Sequence, residues 1–471
     1  MRDLLVEIGT EEIPSGYIKP AALSLKESII GLLKDRGIEF IDAFVYYTPR
    51  RLSVLVRGVS EREPDREEKV KGPPARIAFD ENGKATKAAL GFASAQGVSV
   101  DDLVVEQMKS GEFVFAVKYV RGISTPEIIA SFLPDIVRNI PFPKRMRWEE
   151  SGFTFARPIR WLCVMFGEDV VDVEIAGVRS SNISMGHRFL GRSVELQNAG
   201  EYKDALRKEY VVVDPEERKR IIEDGLSSIG SVIDDPELTE EVINLVEYPV
   251  VAFGRFSEEY LCLPDEVVIT AMREHQRYFA FREDDRLCPI FGVVLNTDKN
   301  VDSIISGNER VLRARLEDAL FYWNEDTKCK LVDYVEKLKG IVWQEGLGSL
   351  YDKTMRVIPL ALYLRDVVGC GDKDILSRAS LLMKADIGTN MIKDGKEFTS
   401  LEGVIGRRYA EATGESPEVA MVIEDYYHPR FPGDILPQTL EGGILGIADR
   451  MDTIVGCFIK GLAPTGSYDP M

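Results

Sequence analysis

The apolar residues of this chain change their spacing once, near residue 300, and that change limits the folds open to it. Before it, short alternating runs are interleaved with helical stretches. In "DLLVEIGT" Leu4, Val6 and Ile8 alternate with Leu5 and Glu7, the pattern of a strand with one well-buried face. Residues 20–35 carry helical spacing, and Leu52, Val54 and Val56 of "RRLSVLVRGV" alternate again. The charged, proline-bearing "SEREPDREEKVKGPPARI" reads as an exposed connection. "EFVFAVKYV", "LCVMFG" and "CPIFGVVLNT" read as strands, and residues 125–138 as a helix. "YVVVDPEERKRIIEDGL" reads as a strand followed by a helix, with Asp214 as N-cap, Pro215 at the first helical position and Glu217 two residues later.

From about residue 303 the spacing is helical throughout. Leu312, Leu316, Ala319 and Trp323 form one stripe, with Glu309, Arg313 and Glu317 as an ion ladder on another face. Leu347, Tyr351, Met355, Ile358 and Leu362 make a second stripe, in which Pro359 predicts a kink or an early end. Ile444, Ile447, Met451, Ile454 and Phe458 make a third. Mixed strands and helices followed by helices alone define an α+β chain. A length of 471 residues suggests about three domains. The expected division is an N-terminal α+β domain at 1–150, a second α+β region ending in long helices at 151–340, and an all-helical domain at 341–471.

Charge and composition remove several function classes. The net charge is −19, so contact with nucleic acid requires local basic patches or a segment outside this sequence. No apolar run reaches the 18 or so residues of a membrane span, and the acidic start is not a signal peptide, so a cytoplasmic location is expected. The six cysteines form no CxxC pair, and buried free thiols are expected for most of them. There is no Walker-type phosphate loop and no G-x-S-x-G elbow. Only His187, His275 and His428 are present, too few for a histidine-rich metal centre.

The stretch "LLMKADIGTN" resembles the "LLHDIGK" motif of HD-type metal-dependent phosphohydrolases, with Ala385 where that family has a metal-binding histidine. Asp386 is kept. "DKTMRV" resembles the early histidine segment of the family but carries Lys353, a cation and a poor metal ligand. "EDYYHPRFPGD" keeps His428, and "IADRMD" keeps the late Asp449. The two replaced positions remove the centre of the metal cage. The expectation is a degenerate HD-type domain with no metal and no catalytic residue, in which Asp386 and Asp449 make hydrogen bonds or helix caps.

A second resemblance runs the length of the chain. "LLVEIGTEEIPSGYIKPA", "YYTPRRLSVLV", "IPFPKRMRWEESGFTFARPIRWL", "GHRFL", "VEYPVVAFGRF", "MREHQRYFAF", "GNERVLRARLEDALFYWNED", "WQEGLGSLYDK", "KADIGTNM", "YHPRFPGDILP", "ADRMDTIVG" and "APTGSYDP" occur in order from residue 4 to residue 470. Together they are similar to the β subunit of bacterial heterotetrameric glycyl-tRNA synthetase. The resemblance implies an α2β2 assembly whose α subunit uses ATP and Mg2+ to make glycyl-adenylate. It implies a β subunit that binds no cofactor itself and is required for tRNA(Gly) recognition and charging. The family chain continues past this sequence, so a C-terminal truncation, inactive alone, is expected. Two alternatives are a phosphohydrolase using Asp386, His428 and Asp449, and a scaffold without RNA contact.

The candidate RNA contacts are few. Lys144, Arg145 and Arg147 lie beside Trp148, with Arg157, Arg160 and Trp161 close behind. Cations next to aromatic rings can hold phosphates and stack a base. Arg50 and Arg51 precede a strand, and Arg407 and Arg408 lie near the HD-type remnant.

Overall fold

The computed structural model describes residues 1–462 apart from Glu81, Asn82, Lys109 and the side chain of His275. The "APTGSYDP" motif lies outside the described residues. Two compact units are present: Met1–Ile222 with Thr239–Pro249, and Glu223–Leu238 with the chain from Val250 onward.

The first unit is built on a seven-stranded sheet. Its strands are β1 (Arg2–Thr10), β2 (Asp42–Thr48), β3 (Arg51–Val59), β9 (Ile159–Phe166), β10 (Asp169–Val170), β11 (Glu174–Ile175) and β12 (Val178–Ser181). The order is β11-β12-β9-β1-β3-β2, with β10 also on β9. Pairing is antiparallel except between β12 and β9. Leu4 stands opposite Val56 on one side and Phe166 on the other. The expected border at residue 150 is therefore displaced, because β9 is a neighbour of β1 inside one sheet.

The central place of β1 also corrects the one-faced strand read from its alternation. Leu4, Val6 and Ile8 pack with helices α1 (Ser15–Asp35) and α4 (Thr125–Asn139). Leu5, on the other face, packs with Tyr202, Leu206, Val211 and Val213. Both faces are buried, and Glu7 is carried inside with them. Gly9 has no side chain for a steric reason: a Cβ there would lie 1.9 Å from the ring of Trp161. Val211–Val213 is not a strand; Val212 donates its amide to Glu247 O and Val213 accepts from Tyr47 N.

The charged segment after residue 60 is also not a plain connection. Arg66–Pro74 is strand β4, paired with β6 (Gly111–Val120), which pairs with β5 (Leu103–Met108). Its charge marks an exposed edge strand, with Lys69 paired to Glu106 on β5.

The second unit opens with a four-stranded sheet of order β15-β17-β18-β16, made of Ser231–Val232 (β15), Val250–Arg255 (β16), Phe279–Glu283 (β17) and Arg286–Leu295 (β18). Helices follow: α8 (Asp265–Gln276) between the strands, then α9 (Val301–Asp326), α10 (Leu350–Val368), α11 (Lys373–Leu382), α12 (Asn390–Asp394), α13 (Val404–Ala412), α14 (Pro417–Asp425) and α15 (Leu440–Ile459). On α9, Leu312, Leu316 and Ala319 are fully buried, as their spacing requires, and Trp323 stacks on Tyr409 at 4.9 Å. The ion ladder does not form at Glu309, whose carboxylate accepts the amide of Arg255 (2.9 Å). Pro359 neither ends nor shortens α10, which continues to Val368. Packing against α11 and α15 outweighs the one missing donor.

The stripe read on α15 faces outward. Ile444 is buried, but Ile447, Met451, Ile454 and Phe458 are 55%, 44%, 54% and 62% exposed. The inner face is occupied by small residues (Gly446, Ala448, Gly456) and by Leu445 and Thr453. Cys262, Cys329 and Cys370 are exposed thiols, against the expectation of burial. Among the described residues no helix is long and apolar enough to cross a membrane.

Candidate nucleic-acid interface

The sequence nominated nine cations for RNA contact, and the structure divides them by what each already holds. Arg51 is fully buried. Its Nε donates to Thr48 Oγ1 (3.2 Å), Nη1 to Glu7 Oε1 (3.1 Å) and Ser184 Oγ (3.4 Å), and Nη2 to Met185 O (2.8 Å) and Glu247 Oε1 (3.0 Å). All five N–H groups of the guanidinium are thus occupied. Burial lowers the affinity of Arg51 for its proton, but the charges of Glu247 and Glu7 outweigh that and raise its pKa. Burial pushes the Glu7 carboxyl up despite Arg51, whereas at Glu247 the field of Arg51 and the Thr48 hydroxyl overcome burial and hold it down. Arg50 is mostly enclosed, 3.6 Å from Glu247 and over the ring of Trp161 at 5.5 Å. This pair of arginines closes the core around β3.

Arg407 and Arg408 are engaged as well. Arg407 binds Glu411 (2.8 Å) and Glu424 (3.0 Å), and Arg408 binds Glu266 (2.5 Å) and Glu411 (3.1 Å). The second arginine ties α13 to α8.

The segment 144–160 is different. Its short hairpin pairs Met146–Arg147 (β7) with Thr154–Phe155 (β8). Arg145 braces the hairpin base through the carbonyls of Ile140, Arg138 and Thr154. Among the described residues, Arg147 bonds only the carbonyls of Glu149 and Glu150, and Arg157 only that of Ala156. Lys144 is exposed and has no polar partner among the described residues. Arg160 is exposed and pairs with Glu11 (2.7 Å), which Arg188 shares (2.6 Å). Trp148 packs edge-on against Phe153. The segment therefore presents Lys144, Arg147 and Arg157 without an ion-pair partner among the described residues, while Arg160 is held by Glu11.

Of the HD-type positions, Lys353 and Asp449 meet, while Asp386 and His428 bond elsewhere. Ala385 is buried. Asp386 is fully buried; Oδ2 accepts the amide of Gly403 (2.6 Å) and Oδ1 that of Ile387 (3.1 Å). Gly403 has φ +83°, and a Cβ there would meet Tyr427 at 2.4 Å, so this carboxylate fixes a turn that requires glycine. His428 bonds Asp434 (3.1 Å). Lys353 reaches Asp449 (2.9 Å). Among the described residues no group of three or more His, Cys, Asp or Glu is placed to hold a metal.

Sequence reading missed several partners here. Asp452, Thr453 and Lys384 surround Lys353 and Asp449. The spacing of Asp449 and Asp452 in "IADRMDT" puts both on one helix face, which was a usable signal. Nothing local marked Glu247 as a partner of Arg51.

Burial raises the Asp386 carboxyl from the usual value near 3.8 to about 6. The folded state holds this proton more tightly than the unfolded state. Its contribution is complete below about pH 4 and disappears as pH rises through about 6, a loss of about 3 kcal/mol. Urea unfolding of the helical unit between pH 4.5 and 7.5 is expected to show this loss in the wild type. It is expected to be absent from the corresponding curve of Asp386→Asn.

Comparison with known proteins now adds the class. The family model described as glycyl-tRNA synthetase beta subunit matches residues 4–471. The relatives include the glycine–tRNA ligase beta subunits of Halalkalibacterium halodurans (43% identical, all of this chain and 68% of the relative) and Desulforamulus reducens (43%, with the same coverages). That of Clostridioides difficile strain 630 is 42% identical over 99% of this chain and 69% of the relative. An α+β chain of this kind is thus a subunit of an aminoacyl-tRNA synthetase. Specifically, it belongs to the glycyl-tRNA synthetase beta subunit family.

Proposed function

We propose that this chain acts as the tRNA-handling subunit of a glycine–tRNA ligase, in a cytoplasmic α2β2 assembly. A separate α subunit forms glycyl-adenylate from glycine and ATP with Mg2+; this chain supplies the RNA contacts and the assembly surface, with no cofactor of its own. The observation that carries the reading is the family match over residues 4–471. The helical unit is read as a degenerate HD-type domain retained as a scaffold: Asp386 holds a turn and His428 holds Asp434, so neither is free for hydrolysis.

Within this reading the RNA backbone lies across the segment 144–160. Lys144 and Arg147 have no ion-pair partner among the described residues and Arg160 shares Glu11 with Arg188, whereas Arg51, Arg407 and Arg408 are each held by two carboxylates. The triple change Lys144→Glu, Arg147→Glu, Arg160→Glu is expected to weaken tRNA(Gly) binding at least tenfold. It is expected to flatten the salt dependence by about two to three contacts, measured by fluorescence anisotropy from low to moderate salt. Arg407→Glu is the matched control and is expected to leave affinity within about twofold. Equal affinity in the triple variant and the wild type would remove this segment from the interface.

A further inference from the structure

Lys353 lies almost wholly inside the second unit, 2% exposed, which is unusual for a lysine. Its Nζ donates to Thr453 Oγ1 (2.7 Å), Asp449 O (3.1 Å) and Asp452 Oδ2 (3.3 Å), and stands 2.9 Å from Asp449 Oδ1. The ring of Trp343 covers it at 4.4 Å. Every polar neighbour of the ammonium is therefore an oxygen, and two of them belong to carboxylates. Such a shell is what hard divalent cations take from proteins. The second carboxylate oxygen of Asp449 faces another ammonium, Lys384 Nζ, at 3.7 Å. Lys384 lies over Tyr427 at 4.5 Å. Arg356 holds Asp452 from outside with two bonds (2.7 and 3.0 Å). Burial opposes the charge on Asp452, but Arg356 and Lys353 overcome it and hold its carboxyl below the usual range.

A metal of the kind an HD-type domain carries does not fit these residues. The oxygen shell is already filled, and three cations face two carboxylates. We propose that Lys353 and Lys384 are resident cations. Their two fixed charges occupy the place of one divalent ion, so α10 and α15 are joined by a permanent counter-charge rather than by an exchangeable metal. This inference concerns the helical unit alone and does not depend on the RNA-binding reading above. The unit keeps the charge balance of a metal centre without an activated water, independent of metal supply and unaffected by chelators.

Removal of the two ammonium groups should expose the oxygen shell to a real cation. The double variant Lys353→Ala, Lys384→Ala is the test, with Mn2+ as the probe. Electron paramagnetic resonance of free Mn2+ and thermal unfolding in 1 mM MnCl2 give the readouts. The expected result is one Mn2+ bound at least tenfold more tightly than by the wild type. Its Tm should rise with Mn2+ while that of the wild type does not move. Adding Asp449→Asn to the double variant is expected to abolish both effects. Mn2+ affinity equal to the wild type, or a gain that survives Asp449→Asn, overturns the proposal. If the double variant does not fold, the single variants Lys353→Ala and Lys384→Ala carry the same comparison, and no gain in either overturns it.

Discussion

Arg51→Ala is expected to cost the first unit about 3–5 kcal/mol, the scale for removing one partner of a buried ion pair. The substitution leaves Glu7 enclosed with no cation and Glu247 with Arg50 alone, at 3.6 Å. It also strips Thr48, Ser184 and the Met185 carbonyl of a donor. Tyr202 and Ser184 still donate to Glu7, at 3.1 and 2.9 Å, but neither carries charge. The stranded carboxylates are expected to take up protons, so the variant should recover part of its stability below about pH 5, opposite to ordinary acid unfolding. Arg51→Lys is expected to rescue little, since one ammonium has three donors where the site uses five. Urea unfolding followed by the fluorescence of Trp161, whose ring lies 5.5 Å from the Arg51 guanidinium, reads the local transition.

Asp326→Ala should be the most damaging single change in the second unit, at roughly 3 kcal/mol or more. This aspartate ends α9 and is 1% exposed. One oxygen accepts the Asn390 amide (2.9 Å) and the Tyr334 hydroxyl (3.2 Å). The other accepts the Met391 amide (3.0 Å) and the Tyr409 hydroxyl (2.9 Å). Four donors from three parts of the unit meet one carboxylate, and two of them open helix α12. Negative charge at a helix start is favourable in its own right. Asp326→Asn offers one acceptor oxygen in place of two and is expected to recover less than half of the loss. Differential scanning calorimetry, with the helical unit's transition resolved, gives the comparison.

What the sequence made legible was periodic. Leu312, Leu316 and Ala319 are buried because a helix returns each to the same side about every turn, and no distant residue is needed to see that. Strand β1 was visible from the same logic. The burial of Glu7 was not, since it depends on residues near 200 covering the second face of the sheet. The α15 stripe misled for a related reason. Apolar spacing shows which residues share a face, but the neighbours decide which face is inside. Here Lys353 takes the inner face with its oxygen ligands, and the larger apolar residues are left outside.

The candidate interface divides along the same line. Arg50, Arg51, Arg407 and Arg408 read as basic clusters because their acids, Glu247, Glu266 and Glu424, are distant in sequence. A cluster of cations in a chain of net charge −19 is first a partner for the chain's own carboxylates. The motifs from "LLVEIGTEEIP" to "ADRMDTIVG" gave the family, because ordered matches along a chain do not depend on which face each residue takes.

The central claim is that this chain supplies tRNA handling to a separate adenylate-forming subunit. Its most direct test is co-expression with the α subunit, followed by glycylation of tRNA(Gly) by the purified complex and by the α subunit alone. The α subunit and this chain are expected to co-purify in equal amounts. Glycine-dependent pyrophosphate exchange is expected of the α subunit alone, and charging only when the β subunit is present. An α subunit that neither retains this chain nor needs a β subunit for charging would contradict the claim.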